Sequence, residues 1–337
     1  MLADPYLAAA HAEDIPLEQG WRFIKQDVRG AEAAGFDDSG WTGVRVPHTY
    51  NAEDSGIGGA KARGEPEGVY YRGPAWYRLT IDHAPRPDTR YLLHFGGATL
   101  KADVWLNGRK LGSHVGGYAA FRFDATDMLK AGRNTLAVRV DNARNTDYAP
   151  LNGDFNIFGG LYRGVKLIAV PALHIDRLDH AGPGVQARTT ALAARSATVA
   201  AKVQVRNDRT AAARLDVRSR IVDAEGRIVA TATTPLSLSA GQAGAVDQQF
   251  TLTNPKRWEG RKSPYLYRVV SEVVDGGRAI DSQSVPLGVR TIAVETNGTV
   301  RLNGAPYRLH GVNLQHPTRF GRGPIVTDAE IDEDLNI

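Results

Sequence analysis

The stretch Val104-Trp-Leu-Asn-Gly-Arg-Lys-Leu111 carries the clearest indication of fold in this chain of 337 residues. Asn107-Gly108 stands between two short runs of strand-forming residues. Asn-Gly is the strongest short-range signal of a β-hairpin, because both residues accept the positive φ that a two-residue turn requires. The stretch therefore predicts two antiparallel strands joined by a tight turn.

The sequence on both sides of this hairpin shows the same pattern, in which short strand-like runs are bounded by turn residues. Clear examples are Ala75–Ile81, Tyr91–Phe95, Thr135–Val140 and Leu161–Ile168. Helical periodicity is nearly absent, so residues 17–171 are predicted to form two packed antiparallel sheets, a jelly-roll-like β-sandwich. Residues 1–16 are interpreted as a leader. This stretch ends in small residues, as an export signal does, but it has no basic region. It is therefore interpreted either as a flexible leader or as the remnant of an export signal.

The composition changes after Pro171, which marks a predicted domain boundary. Val199, Ala201, Val203 and Val205 alternate with polar residues, and further short strands follow at regular spacing. Residues 172–290 are therefore predicted to form an immunoglobulin-like β-sandwich. It must lack the usual disulfide, because the chain contains no cysteine.

The third segment, residues 291–337, contains a second Asn-Gly hairpin signal and two further elements. Tyr307–Asn313 is predicted to be a strand. Thr327 with Glu330 three residues later predicts the capped start of a helix. One strand and one helix cannot make a core, so this segment is expected to begin a further fold that the sequence does not complete. Asn297-Gly-Thr299 has the pattern of a glycosylation sequon, but we interpret it as a turn.

Composition excludes several classes of function. The net charge is +4, with 41 scattered Lys and Arg residues and no basic run of the kind that binds nucleic acid. Thiolate metal sites are excluded by the absence of cysteine. No apolar run reaches the roughly 18 residues of a membrane span, so neither a nucleic acid nor a membrane is an expected partner. A cysteine-free chain leaves the compartment open between cytoplasm and periplasm or secretion.

Several strings, taken in chain order, resemble glycoside hydrolase family 2, which includes β-galactosidases, β-glucuronidases and β-mannosidases. The strings are Phe36–Trp41, Val46–Asn51, Gly68–Arg72, Trp76–Arg78, Val104–Gly108, Gly116–Tyr118, Val140–Asn142, Gly159–Arg163, Asn254–Trp258, Ser263–Tyr267, Gly288–Arg290, Leu302–Gly304 and Gly311–Asn313. Any one of these strings is weak evidence for the family, whereas their order and spacing together are specific to it. The resemblance implies a sugar-binding sandwich, an immunoglobulin-like sandwich and, over 291–337, the first strand and helix start of an incomplete (β/α)8 barrel.

The resemblance also implies a retaining β-glycosidase, which uses two carboxyl groups about 5–5.5 Å apart. In this family both are glutamates on later barrel strands, so the chain is expected to contain no catalytic residue and to be inactive alone. Other acidic pairs, such as Glu65 with Glu67 and Asp37 with Asp38, are interpreted as solvated carboxylates. The alternatives are a non-catalytic carbohydrate-binding protein and a chain that complements a separate barrel subunit.

Substrate-binding candidates follow from the same resemblance, and the expected partner is a β-glycoside. Asp154 matches an aspartate that holds sugar hydroxyls and a cation in β-galactosidases, so a cation near Asp154 is open for the full-length enzyme. His48, Thr49 and Asn51 occupy a loop that offers a further sugar contact, although Thr49 stands where β-galactosidases carry Asn. Holding the loop's own backbone is the alternative role for His48 and Asn51.

Two further candidates, Asn313 and His316, lie at the end of the predicted barrel strand, where barrel residues tend to be functional. Trp76, Tyr77, Trp105 and Tyr118 are expected to belong to the sandwich core rather than to a sugar-stacking platform. Homo-oligomerisation is also open, because an uncovered barrel strand would pair readily.

Overall fold

The computed structural model describes residues 12–52, 70–149, 157–311 and 322–336. The described chain forms two compact units. One combines Asp14–Ala169 with the described part of the C-terminal segment, and the other contains Val170–Gly311. No helix in these ranges has the length and apolar character that crossing a bilayer requires. The secondary structure is almost entirely antiparallel β-sheet, as the sequence predicted.

The first sandwich is built from two sheets. The smaller sheet has the order β1-β10-β5-β8, with β1 at Glu13–Pro16, β5 at Thr89–Phe95, β8 at Phe121–Asp124 and β10 at Val165–Pro171. The larger has the order β3-β2-β4-β9-β6-β7, with β2 at Trp21–Ile24, β3 at Thr42–Val44, β4 at Pro74–His83, β6 at Lys101–Leu106, β7 at Arg109–Val115 and β9 at Gly132–Asp141. Glu13–Pro16, which falls within the predicted leader, is thus a sheet strand.

The hairpin predicted at Asn107-Gly108 joins β6 to β7. Leu106 pairs with Arg109, and both turn residues have positive φ, 54° at Asn107 and 79° at Gly108. The Asn107 side chain ties the turn to the rest of the sandwich. Its Nδ2 donates to the Met128 carbonyl at 2.8 Å, and its Oδ1 accepts from the Thr135 amide at 3.0 Å.

The core of the first sandwich lies between its two sheets and combines aliphatic residues with several packed aromatic rings. Trp21 and Tyr77 meet edge to face, and Phe95 stacks on Phe121. On the other face of the larger sheet, Trp76 packs against Trp105 under a covering segment that includes Ala31 and Trp41. Of the four predicted core aromatics, Trp76 and Tyr77 are buried and Trp105 is partly buried, whereas the expectation is wrong for Tyr118, which is 41% exposed.

Arg78 fastens the covering segment to the larger sheet. The side chain is only 2% exposed, and its guanidinium lies over the Phe36 ring. Its Nε bonds the Asp38 carboxylate at 2.8 Å, and its Nη1 donates to the Ala33 carbonyl at 3.0 Å. A planar guanidinium suits this task, because it presents several donors in fixed directions. Asp38 is thus a structural partner.

The second sandwich also has two sheets. In one, β13 (Ser196–Asn207) pairs with β11 (Leu173–Ile175) and β12 (Val185–Leu192) along one edge and with β16 (Ala243–Thr253) along the other. The other has the order β15-β14-β17-β18, with β14 at Ala213–Val222, β15 at Ile228–Leu238, β17 at Tyr267–Asp275 and β18 at Arg278–Leu287. Short 3-10 helices occur at Thr126–Met128, Asp179–Ala181 and Gly260–Lys262.

Burial in the second sandwich follows the alternation of the sequence. Val199, Ala201, Val203 and Val205 on β13 are at most 2% exposed, whereas the side chain of Lys202 between them is exposed. Successive side chains of a strand point to opposite faces, so one face of β13 enters the core and the other faces water.

Residues 291–311 form a small three-stranded antiparallel sheet of β19 (Ile292–Val294), β20 (Val300–Leu302) and β21 (Ala305–Pro306). The predicted strand at Tyr307–Asn313 is wrong over its described part. Tyr307–Gly311 is not part of a strand. The Tyr307 amide donates to the Val300 carbonyl of β20 at 2.8 Å, but no ladder with a described strand continues from there, and a strand is stabilised by its neighbours. The predicted helix is confirmed as α1 at Asp328–Leu335, where Thr327 and Glu330 complete the capping box. The described residues contain no (β/α)8 barrel.

Candidate functional site

The loop that contains three of the predicted site residues is fastened to the Gly-Gly-Leu segment at 159–161. The amide of His48 donates to the Leu161 carbonyl at 2.7 Å, and the amide of Tyr50 donates to the Gly159 carbonyl at 3.3 Å. The loop begins with a cis Val46–Pro47 peptide bond. Two segments that are distant in sequence therefore run side by side at this end of the first sandwich.

Two glycines make this close approach feasible. A Cβ on Gly159 would lie 2.0 Å from the Tyr50 hydroxyl oxygen and ring, and a Cβ on Gly160 would lie 2.5 Å from the His48 carbonyl oxygen. Gly160 also has a φ of 123°, which side chains other than glycine rarely adopt. The Gly-Gly pair of the sequence motif is thus explained by packing against the loop.

Asn51 lies at the centre of a buried group of polar side chains and is 0% exposed. Its Nδ2 donates to the Tyr71 carbonyl at 3.0 Å, and its Oδ1 accepts from the Gly159 amide at 2.7 Å. Asn142, also 0% exposed, donates to Asn51 Oδ1 at 3.2 Å and to the Ile157 carbonyl at 2.8 Å. We call Asn51 and Asn142, with Tyr50 and Thr49, the amide cluster.

The remaining members of the amide cluster complete its hydrogen bonding. Asn142 Oδ1 accepts from the Gly73 amide at 2.9 Å and lies 3.1 Å from the Tyr50 hydroxyl. The Thr49 hydroxyl donates to the Gly159 carbonyl at 2.7 Å, and Thr49 is only 3% exposed. Because buried polar groups are costly unless they are bonded, these partners make the cluster a rigid support for the loop.

His48 occupies a mostly buried position between aromatic rings. Its Nδ1 lies 2.8 Å from the Tyr77 hydroxyl, and its ring meets Phe23 edge to face. Burial lowers the pKa of His48 to about 4, and the positive charge of Lys25 acts in the same direction. His48 is therefore neutral near pH 7 and does not supply a positive charge to the site.

The segment before α1 also contacts the loop. Gly323 is buried, and a Cβ placed on it would lie 3.2 Å from the Thr49 methyl carbon and 3.1 Å from the Phe158 ring. Its φ of 56° again favours glycine. Part of the third sequence segment thus covers the surface of Thr49.

The structure brings together three of the six predicted substrate-binding residues, His48, Thr49 and Asn51, and each of their side chains has a hydrogen-bond partner within the fold. Asp154, Asn313 and His316 lie outside the described residues. Contact of any of the six with a sugar stays a prediction. Arg163, which ends the Gly159–Arg163 string, donates to the Tyr118 carbonyl at 3.1 Å, a bond to the backbone of the same domain.

Asn142 is the principal residue of this region that sequence reasoning did not select as a site residue. Four of its bonds reach Gly73, Asn51, Tyr71 and Ile157. The available signal was its place directly after β9, in the motif Val140-Asp-Asn142. An amide that follows a strand can bond several loops at once, because it offers two donors and an acceptor with two lone pairs.

The part of the chain that the structure describes contains no group of side chains arranged to bind a metal ion. No three His, Cys, Asp or Glu side chains come together there as they would around an ion. The cation expected near Asp154 concerns a residue outside the described ranges and stays a prediction.

Comparison with known proteins identifies the origin of these domains. The family model "Glycosyl hydrolases family 2, sugar binding domain" matches residues 34–171, and the model "Glycosyl hydrolases family 2" matches residues 180–290. A β-glucuronidase of Bacteroides fragilis is 31% identical over 97% of this chain and 44% of its own length. A β-galactosidase of Bacteroides ovatus is 30% identical over 94% of this chain and 36% of its own length.

Solved structures agree with the sequence matches. The crystal structure of Bacteroides uniformis β-glucuronidase superimposes with a TM-score of 0.88 at 31% identity, covering 97% of this chain and 38% of that one. The chain thus spans less than half the length of these relatives. Through its sugar-binding and immunoglobulin-like domains, the chain belongs to glycoside hydrolase family 2.

Proposed function

We propose that this chain is the N-terminal part of a retaining β-glycosidase that hydrolyses O-glycosidic bonds in carbohydrate metabolism. The supporting observation is the match of nearly the whole chain to the N-terminal portions of β-glucuronidases and β-galactosidases at TM-scores up to 0.88. In this proposal the two sandwiches shape and support a (β/α)8 barrel. The segment 291–337 leads into the barrel, and the barrel supplies the two catalytic carboxylates.

The amide cluster would act in this enzyme as a support. It holds the loop 46–51 against 157–161, and the segment that contains Asp154 immediately precedes 157 in the chain. A loop anchored by fully bonded amides keeps its position when a substrate arrives, so little ordering entropy is lost on binding. We therefore assign positioning roles to His48 and Asn51 and a sugar contact to Asp154.

Among β-glycosides, we propose that β-glucuronides are better substrates than β-galactosides. Thr49 stands where the β-galactosidase pattern has Asn, and its only hydroxyl proton is used on the Gly159 carbonyl. It therefore has no proton left to donate to a sugar hydroxyl. Several relatives that match nearly the whole chain carry the name β-glucuronidase.

The first experiment compares the 337-residue chain with the longest open reading frame that contains it, using chromogenic β-glucuronides, β-galactosides and β-mannosides. We expect turnover from the longer protein, fastest with the β-glucuronide, and none above background from the 337-residue chain. Turnover by the shorter chain would refute the assignment of catalysis to the barrel. A reading frame without barrel carboxylates, combined with sugar binding, would favour a non-catalytic carbohydrate-binding protein.

The second experiment tests the sugar contact at Asp154. In the active protein, Asp154→Asn should raise KM or lower kcat by about tenfold or more, because a charged acceptor is lost from a sugar hydroxyl. Asp147→Asn is the matched control, since Asp147 is an exposed aspartate of the same segment. Equal kinetics for the two variants would contradict the contact at Asp154.

A further inference from the structure

Three Asn-Gly pairs lie in the described residues, at Asn107, Asn297 and Asn303, and their side chains are held very differently. All three pairs form tight turns between strands. Asn-Gly is also the dipeptide most prone to spontaneous loss of the side-chain amide, because glycine leaves the following backbone nitrogen sterically open. A fourth pair, Asn152-Gly153, lies outside the described residues.

Two of the three pairs are fixed through their side-chain amides. Asn107 Nδ2 donates to the Met128 carbonyl and to Asn134 Oδ1, both at 2.8 Å. Asn303 Nδ2 donates to the Trp258 carbonyl at 3.0 Å, and its Oδ1 accepts from the Thr291 amide at 3.0 Å. Ring closure at either residue would require these bonds to break together.

Asn297 is exposed and much less restrained. Its Oδ1 accepts from the Thr299 amide at 2.9 Å, and its Nδ2 has no hydrogen-bond partner among the described residues. It stands in the turn between β19 and β20, where the Gly298 amide donates to the Glu295 carbonyl at 2.9 Å and Gly298 has a φ of 84°. A three-residue turn with glycine in the left-handed conformation accounts for this geometry.

We propose that Asn297 is a modification site at which the folded protein deamidates without an enzyme. The deprotonated Gly298 nitrogen attacks Cγ of Asn297, a new N–Cγ bond forms, and the Cγ–Nδ2 bond breaks with release of ammonia. Water then opens the resulting succinimide at either carbonyl. The products are aspartate and isoaspartate at position 297, each with one more negative charge than asparagine.

The turn contains one group that assists this reaction and one that slows it. The Thr299 amide donates to Oδ1, the atom on which negative charge develops as nitrogen attacks, so it stabilises the tetrahedral intermediate. The Gly298 amide is bonded to the Glu295 carbonyl and must first be released. An exposed turn opens locally at low free-energy cost, so the reaction proceeds without unfolding of the domain.

The modification changes the turn in two ways. The new carboxylate lies two residues from Glu295, which already pairs with Arg301, so it adds repulsion beside an existing ion pair. Isoaspartate also inserts an additional carbon into the backbone of a turn that fixes only three paired positions, Ile292 with Leu302, Ala293 with Arg301 and Val294 with Val300. Aspartate leaves the backbone length unchanged, so isoaspartate is the form that disturbs the β19–β20 pairing.

The test incubates the folded chain and the urea-unfolded chain in mildly alkaline buffer and follows each Asn-Gly peptide by mass spectrometry. When the chain is unfolded, Asn107, Asn297 and Asn303 should react at similar rates. When it is folded, Asn297 should react roughly tenfold or more faster than the other two, because only they are protected by folding. Similar rates at all three sites in the folded chain, or protection of Asn297 equal to that of Asn107, would overturn the proposal.

A matched pair of samples tests the structural consequence. Asn297→Asp retains an acceptor for the Thr299 amide and should keep slow amide hydrogen exchange in β19 and β20. Aged protein enriched in isoaspartate, which an isoaspartyl methyltransferase labels, should exchange faster there. Equal exchange in the two samples would show that the backbone insertion does not disturb the turn, contrary to the proposal.

Discussion

Two buried polar groups, the amide cluster of the first sandwich and an ion pair of the second, show which chemistry suits loops and which suits sheets. The neutral amide cluster joins loops near one end of the first sandwich. The ion pair lies in the second sandwich, where Arg177 is 4% exposed and Asp281 0% exposed. Neither kind of group is confined to one sandwich, since Arg78 is buried in the first and Asn207 in the second. Neutral amides can bond several directions without the desolvation cost of a charge, whereas a buried charge requires an opposite charge in good geometry.

The ion pair is fully bonded. Arg177 Nη1 lies 2.7 Å from Asp281 Oδ2, and Nη2 lies 2.9 Å from Oδ1, a bidentate arrangement. Asp281 also accepts from the Ile175 amide at 2.8 Å, and Arg177 donates to the Ile175 and Ser282 carbonyls. Because Ile175 is in β11 and Asp281 is in β18, the pair joins the two sheets of this sandwich.

The largest effect is expected from breaking the ion pair. Asp281→Ala leaves the Arg177 guanidinium buried without its partner and should lower the free energy of unfolding of the second sandwich by about 3–5 kcal/mol. Native-state hydrogen exchange measures this for each sandwich separately. The control replaces both residues, Arg177→Met with Asp281→Leu. It should lower the free energy of unfolding much less than Asp281→Ala, because no buried charge is left without a partner. A loss below about 1 kcal/mol for Asp281→Ala would contradict the importance of the pair.

A smaller loss is expected from the amide cluster. Asn142→Ala removes partners from the Gly73 amide and the Ile157 carbonyl and should lower the stability of the first sandwich by about 2–3 kcal/mol. Because no charge is left uncompensated, the loss should be smaller than that of Asp281→Ala. Asn145→Ala is the matched control, since among the described residues Asn145 Oδ1 bonds the nearby Asp147 and Tyr148 amides and no distant segment. Equal losses of stability for Asn142→Ala and Asp281→Ala would contradict the expectation that an unpartnered buried charge costs more than a lost amide.

His48 should make the stability of the first sandwich depend on pH. Its pKa falls from 6.5 to about 4 on folding, so between these values the unfolded chain binds more protons than the folded chain. The contribution of His48 to the free energy of unfolding is therefore fully present above pH 6.5. It is lost as the pH decreases towards 4, by at most about 1.4 kcal/mol per pH unit.

The measurement is the free energy of unfolding against pH for the parent and for His48→Gln. The variant should lose part of the slope between pH 4 and 6.5, while His94, whose pKa burial also lowers to about 4, accounts for a remaining part. An unchanged slope would show that His48 titrates normally in the folded protein.

The smallest effect is expected on the polar face of the second sandwich. Lys202→Ala should change stability by no more than about 0.5 kcal/mol, because the side chain is exposed. Val203→Ala on the same strand should cost about 1–3 kcal/mol, because Val203 is 0% exposed. Thermal or urea unfolding that gave similar losses for these neighbours would contradict the alternation on which the strand assignment rests.

Much of the fold could be predicted from local pattern. The Asn107-Gly108 turn, the alternating strand around Val203 and the capped helix after Thr327 all formed as predicted. The strand expected at Tyr307 did not form in its described part, because a strand also requires a neighbour and local pattern does not specify one. The loop of His48 and Asn51 could be selected by resemblance, but the bonds that occupy these side chains could not.

The sequence by itself determined the all-β class and the family, because these depend on short-range turn chemistry, alternation with period 2 and ordered motifs. Only the tertiary structure showed that Asn51 meets Asn142, that Gly159 must lack a side chain and that Arg177 pairs with Asp281. The physical reason is that a hairpin is decided by a few adjacent residues. A buried hydrogen bond, in contrast, is decided by which distant segments exclude water together.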